Sequence, residues 1–132
     1  MTTSKTLLVI DDEKHIRTEI VDYLVRQGFT VTGVEHGAEG LKVLESTEVD
    51  LVITDVLMPE KEGIETIIEM RKLRPNLRIL AISGGGRMSN FMPLDMARKF
   101  GANATLTKPF KLTDLLATIN AVMNEPMDRE PV

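Results

Sequence analysis

Five short apolar runs, each followed by a stretch with helical periodicity, constrain this chain more than any other feature. The runs are Thr6–Ile10, Thr30–Val34, Leu51–Thr54, Arg78–Ile82 and Ala104–Thr107. The first and third barely alternate between apolar and polar residues. A half-exposed strand alternates, whereas a strand buried on both faces does not, so these two runs suit the middle of a parallel sheet. After the first run, Ile16, Ile20, Val21 and Leu24 fall on one helical face, and Gly28 ends that helix. Ala38, Leu41 and Leu44 line a short helix after Gly37, and Ile64, Ile67 and Ile68 begin another that stops near Pro75. Pro93 opens a short helix to about Phe100, closed by Gly101. The last helix is the clearest, with Leu112, Leu115, Leu116, Ile119, Val122 and Met123 spaced by threes and fours. Strand then helix, five times over, predicts an α/β fold. Its sheet is mostly parallel, with helices on both faces and right-handed crossovers.

Ligands of such sheets bind beyond the carboxyl ends of the strands. That rule selects Asp11 and Asp12 after the first strand, Asp55 after the third, Ser83 after the fourth and Lys108 after the fifth. Alone, any of these is an ordinary cap or loop residue. Together they place three carboxylates in one spot. Two unit charges about 4 Å apart repel by about 4 kcal/mol at an effective dielectric of about 20. The cluster therefore needs a cation or altered protonation. Mg2+ suits it, because this hard ion binds through one or two carboxylates, water and phosphate. Lys108 adds a point charge able to neutralise a phosphoryl oxygen or pair with Asp55. The Ser83 hydroxyl can donate to another phosphoryl oxygen. A carboxylate nucleophile, a cation, an ammonium and a hydroxyl are the parts that acyl phosphate formation requires.

Other function classes fit poorly. With 16 basic and 20 acidic residues and no dense basic stripe, the chain lacks the field that attracts nucleic acid. One tyrosine and no tryptophan make a base-stacking platform unsuitable. No apolar stretch reaches the roughly 20 residues that cross a bilayer, and no signal peptide is evident at the start. The absence of cysteine fits a reducing compartment, so cytoplasm is the expected location. His15 and His36 lack a second ligand at metal spacing and read as structural or solvent-facing. Gly84-Gly85-Gly86 lacks the spacing and the following Lys-Ser or Lys-Thr of a nucleotide loop. One domain is expected over residues 1–124, with a short flexible tail over 125–132 that carries two prolines.

Several motifs stand in a fixed order along the chain: Leu8-Val9-Ile10-Asp11-Asp12-Glu13, Asp55-Val56-Leu57-Met58-Pro59, Gly63, Ile82-Ser83 and Lys108-Pro109-Phe110. In these the chain resembles the receiver (CheY-like) domain of bacterial response regulators, over about residues 5 to 124. The resemblance implies a flavodoxin-like three-layer sandwich with a five-stranded sheet of order 2-1-3-4-5. It implies that Asp55 is the phosphoacceptor in a two-component phosphorelay. Mg2+, with Mn2+ as a substitute, would be held by Asp12, Asp55 and the Leu57 carbonyl, with Asp11 acting mainly through water. Ser83 and Lys108 would contact the phosphoryl group, and the Lys108–Pro109 bond would be cis. Leu57 and Gly85 would flank the path of a hydrolytic water. The implied partners are a cognate histidine kinase or histidine phosphotransfer protein and a downstream effector protein. The face made by the helix after Pro93, the last strand and the last helix is a candidate homodimer surface.

Two departures bear on the readout. The family's switch aromatic falls at Thr105, which has no ring to rotate. The stretch from Ser83 to Gly101 is longer than the common pattern, so a switch carried by that loop and the helix after it is expected. The rival reading is a Mg2+-dependent phosphohydrolase with an aspartate nucleophile. Such enzymes use a general acid two residues after the nucleophile, and here that residue is Leu57, which cannot transfer a proton. An interaction module without phosphorylation would not need Asp12, Asp55 and Lys108 together. The chain reads as a standalone regulator, or as a receiver from a hybrid kinase or multidomain regulator.

Overall fold

All five apolar runs form strands of one sheet. The computed structural model describes residues 4–56, 62–84, 97–99 and 101–125. The elements run β1 (Thr6–Ile10), α1 (Lys14–Arg26), β2 (Thr30–Val34), α2 (Gly37–Ser46), β3 (Leu51–Asp55), α3 (Glu62–Leu73), β4 (Arg78–Gly84), β5 (Ala104–Lys108) and α4 (Leu112–Met123). The strand order is β2-β1-β3-β4-β5, and every adjacent pair is parallel. The chain leaves β1 for β2 on one side and returns to β3 on the other. The strand order therefore reverses between β1 and β3, where a crevice opens at the carboxyl ends.

Burial follows position in the sheet. Leu7 to Ile10 of β1 and all of β3 are buried, while β2, at an edge, is largely exposed. Consecutive strand residues point to opposite faces and so feed two cores. On one face Leu8, Ile10, Val52 and Ile79 pack against Leu44 of α2 and Ile67 and Met70 of α3. On the other, Leu7, Val9, Ile53 and Leu80 pack against Ile20 and Leu24 of α1 and Leu115 and Ile119 of α4. Each fully buried aliphatic side chain contributes roughly 1.5–3 kcal/mol.

Three strands end later than their apolar runs. β3 includes Asp55, β4 continues through Ser83 to Gly84, and β5 includes Lys108. Asp55, Ser83 and Lys108 therefore belong to the strands themselves instead of following them. Ladder bonds are made by the main chain, so a polar side chain does not end a strand if its neighbours continue. Here Asp55 pairs with Ile82, Ser83 with Thr107 and Gly84 with Lys108.

The α2 face also differs from the expected one. Ala38 is exposed, and the buried small residues are Gly37 and Gly40. The cause is close approach: a Cβ on Gly37 would collide with the Thr66 side chain of α3, and one on Gly40 with Ile10 of β1. His36 is more than a loop residue. It caps α2 in a reciprocal box, with the Glu39 carboxylate accepting from the main-chain N–H of His36 at 3.0 Å and of Glu35 at 3.0 Å. Those backbone N–H groups, His36 first, hold the Glu39 carboxyl below its ordinary range. Gly28 follows α1 with φ +102°, as its place at the helix end requires. The expected helix from Pro93 to about Phe100 is described only over 97–99, which are helical. Its remainder, the Gly85–Met92 stretch and the tail over 126–132 lie outside the described residues.

At the amino end of the sheet, Arg71 ties α3 to the strands. Its Nη1 donates to the carbonyls of Pro75 (2.8 Å) and Leu77 (2.6 Å), and its Nη2 to Gly101 O (2.5 Å) and Asn103 Oδ1 (3.2 Å). Asn103 Oδ1 also accepts from the Ile79 N–H at 2.9 Å. No helix among the described residues is long and apolar enough to cross a membrane.

Gly63 brings the first turn of α3 against the chain leaving β3, where a Cβ would meet the Val56 backbone. Backbone cannot rotate aside as a side chain can. We expect Gly63→Ala to destabilise the fold by about 1–3 kcal/mol, the usual range for overpacking. Urea unfolding measures it, and an unchanged midpoint would mean that α3 shifts freely.

Candidate functional site

The carboxyl ends of β1, β3, β4 and β5 meet in one acidic crevice. Parallel pairing places Ile10 beside Thr54, so the residues after them, Asp11 and Asp55, are neighbours. Both are almost fully buried, at 1% and 4% exposure. Asp12 is half-buried beside them. Carboxylate oxygens of Asp11, Asp12 and Asp55 lie within 4.8 Å of one another.

Lys108 enters from β5. Its Nζ donates to Asp11 Oδ2 and Asp55 Oδ2, each at 3.1 Å, and to Glu13 Oε1 at 3.2 Å. Burial disfavours the charged ammonium, yet Asp55 and then Asp11 outweigh it and push the lysine above its ordinary 10.5. Even so, three carboxylates bind the one ammonium and that of Asp12 lies beside two of them, so among the described residues these side chains leave an excess of negative charge. An all-oxygen, charge-excess donor set suits a hard divalent cation. The cluster could hold such an ion.

The loop after β1 is fixed by its own hydrogen bonds. Asp11 N donates to Val34 O at 3.2 Å, Arg17 Nη1 donates to Asp11 O at 2.8 Å, and Glu13 N donates to Asp11 Oδ1 at 2.9 Å. Asp11 thus uses one carboxylate oxygen for the loop and the other for the lysine. Ser83 is buried at 5% exposure on β4, between β3 and β5 and one residue beyond the partner of Asp55. The Lys108–Pro109 bond is cis, as expected. Leu57 lies outside the described residues, so its carbonyl is not located. Glu13 also reaches the site, through Lys108, although strand ends do not mark it. Its place immediately after the Asp11-Asp12 pair was the only available signal.

Residues 7–120 match the family model described as the response regulator receiver domain. The chain is 35% identical over 127 residues to the DNA-binding transcriptional regulator NtrC of Rhizobium meliloti, covering 96% of this chain and 26% of that protein. It is 34% identical over 124 residues to the sensor kinase CckA of Brucella abortus, covering 92% of this chain and 13% of that protein. It is 34% identical over 119 residues to the chemotaxis protein CheY of Bacillus subtilis, covering 89% of this chain and 97% of that protein. The chain therefore spans only a small part of the first two relatives and nearly all of the third. Among solved structures, a response regulator receiver domain protein from Clostridium thermocellum aligns with a TM-score of 0.80 at 34% identity, covering 91% of this chain and 94% of that one. A CheY-like receiver domain protein from Methanospirillum hungatei aligns with a TM-score of 0.84 at 26% identity, covering 92% and 95%.

Two outcomes follow from the charge balance. Asp12 adds repulsion, and its carboxylate has no ion pair or hydrogen bond among the described residues. Asp12→Asn should raise stability in a metal chelator by on the order of 1 kcal/mol, read by urea unfolding; a loss of stability would contradict the crowding. Lys108 keeps its proton above pH 10.5 in the folded protein and loses it near that value when unfolded. Its contribution to stability is therefore complete below its ordinary value and disappears as pH rises through the higher one. NMR titration of the Lys108 ε-methylene should give a midpoint above 10.5, and one at or below it would contradict the ion cluster.

Proposed function

The chain belongs to the response regulator receiver domain family, and from that premise we propose that Asp55 accepts a phosphoryl group from a phosphohistidine donor and thereby switches protein contacts. It is a receiver domain of the two-component kind, a signalling switch. The observation that carries the residue assignment is the shared ammonium of Lys108, 3.1 Å from oxygens of both Asp55 and Asp11.

In the proposed step an Asp55 carboxylate oxygen attacks phosphorus and the P–N bond to the donor imidazole breaks. The imidazole keeps the electron pair and takes up a proton. Asp55 becomes a mixed anhydride. The phosphoryl group then lies beside the lysine, and one of its oxygens can take a donor of the Lys108 ammonium without the lysine leaving the crevice. Ser83 is placed to donate to a second phosphoryl oxygen. Asp11, Asp12 and Asp55, with the Leu57 carbonyl, would hold Mg2+ or Mn2+, which when bound neutralises charge on the phosphoryl oxygens. Hydrolysis returns the domain to its starting state through water attack on phosphorus. Self-phosphorylation from small donors and self-dephosphorylation belong to the same reading.

The cognate donor is a histidine kinase or phosphotransfer protein, and the recipient of the signal is an effector protein met in the cytoplasm. Thr105 lies half-buried on β5, three residues before Lys108, and cannot supply an aromatic rotation. We therefore assign the readout to the segment that follows β4, with the helix before β5, β5 and α4 as the candidate face for a second copy. A bound ligand shifts such an equilibrium only through its different affinity for the two states.

Incubation with Mg2+ and a small phosphodonor should add one phosphoryl mass to the wild-type chain and none to Asp55→Asn. Mg2+ at about 100 times its dissociation constant should stabilise the wild type by about 2.7 kcal/mol, and Asp12→Asn should lose most of that gain. Equal phosphorylation of the Asp55→Asn chain would remove Asp55 from the role.

A further inference from the structure

We propose that Glu13 is a positioning residue that holds Lys108 at the mouth of the acidic crevice and competes with an incoming phosphoryl group for its ammonium. This deepens the phosphoacceptor reading and rests on it. An ammonium has three N–H donors and no more. In this protein Asp11, Asp55 and Glu13 take them at 3.1, 3.1 and 3.2 Å. A phosphoryl oxygen can reach the lysine only by displacing one of the three.

The three acceptors are not equivalent. The side chains of Asp11 and Asp55 are 2% and 5% exposed and belong to the carboxylate group able to hold a cation. Glu13 is outside that group, and its side chain is 59% exposed. Water can take over its carboxylate as the lysine leaves, so its bond is a modest one that can be broken and remade.

A second observation separates this role from an ordinary helix cap. Glu13 is the N-cap of α1, with extended φ −88° and ψ 107°, yet its side chain makes no capping hydrogen bond. Ser, Thr, Asp and Asn suit that position because they are short enough to reach back to the first turn. Glutamate is longer, and here its carboxylate goes to Lys108. Its main-chain N–H meanwhile donates to Asp11 Oδ1 at 2.9 Å. One residue thus orients a carboxylate of the crevice through its backbone and restrains the lysine through its side chain.

Shortening the side chain while keeping its charge tests the idea. The full chain is titrated with Mg2+ alone, then with beryllofluoride in saturating Mg2+, both followed by NMR. Glu13→Gln should bind beryllofluoride about two- to fivefold more tightly than wild type, the range for one exposed ion pair. It should bind Mg2+ somewhat more weakly. Glu13→Asp should keep the Mg2+ affinity of wild type yet share the tighter beryllofluoride binding, because aspartate turns to the helix and releases the lysine. In metal-free protein, the Lys108 ammonium protons should exchange faster in both variants. If Glu13→Asp matches wild type in every measurement, the carboxylate acts only through its general field and the proposal is wrong. If wild type itself does not bind beryllofluoride, the phosphoacceptor reading fails and carries this one with it.

Discussion

Carboxylates that crowd together in a place with little water must be compensated, and in this protein Lys108 supplies that compensation. A surface lysine facing one carboxylate contributes little, because water screens the pair and both side chains lose freedom. Lys108 differs because Asp11 and Asp55 are almost wholly buried, so water screens these pairs far less. The compensation is nonetheless incomplete. Among the described residues the Lys108 ammonium meets three carboxylates with Asp12 close by, and the remaining excess is what makes a divalent cation and a phosphoryl group chemically suitable there. A crevice neutralised completely by protein groups would have little affinity for either.

The position of the lysine depends on strand register. Asp55 ends β3 and Lys108 ends β5, with β4 between them, and every contact in the crevice assumes that these three ladders stay aligned. Side chains alternate faces along a strand, so a slip of one residue would turn Asp55 or Lys108 away from the site and push an aliphatic neighbour out of its core. The two cores therefore secure the chemistry as well as the fold. Leu8 and Ile10 lock one face of β1 while Leu7 and Val9 lock the other, and Asp11 is delivered to its place as the next residue.

Much of this was legible in the residues. The unalternating runs of β1 and β3 marked central strands, and strand ends marked Asp11, Asp12, Asp55, Ser83 and Lys108. Apolar patterning shows where a strand is buried, but it does not show where main-chain pairing stops. That is why β3, β4 and β5 each run further than their aliphatic residues. It also cannot reveal close approach, since Gly37 and Gly40 carry no hydrophobic signal even though their lack of a Cβ lets α2 settle on α3 and β1. Ala38 looked like the better core residue only because it has a methyl group. The lysine's third acceptor, Glu13, and the hub at Arg71 depend on contacts between distant segments or on side-chain reach, and neither leaves a periodic trace.

Arg71 and Lys108 hold opposite ends of the same sheet by different physics. Lys108 is bound by full negative charges, whereas Arg71 donates to several neutral acceptors, among them the carbonyls of Pro75, Leu77 and Gly101 and the side-chain amide of Asn103. Dissolved ions weaken attraction between formal charges far more than they weaken hydrogen bonds to neutral oxygens. Salt therefore acts first on the exposed Glu13 contact of Lys108, while the buried Asp11 and Asp55 contacts and the neutral oxygens around Arg71 respond far less.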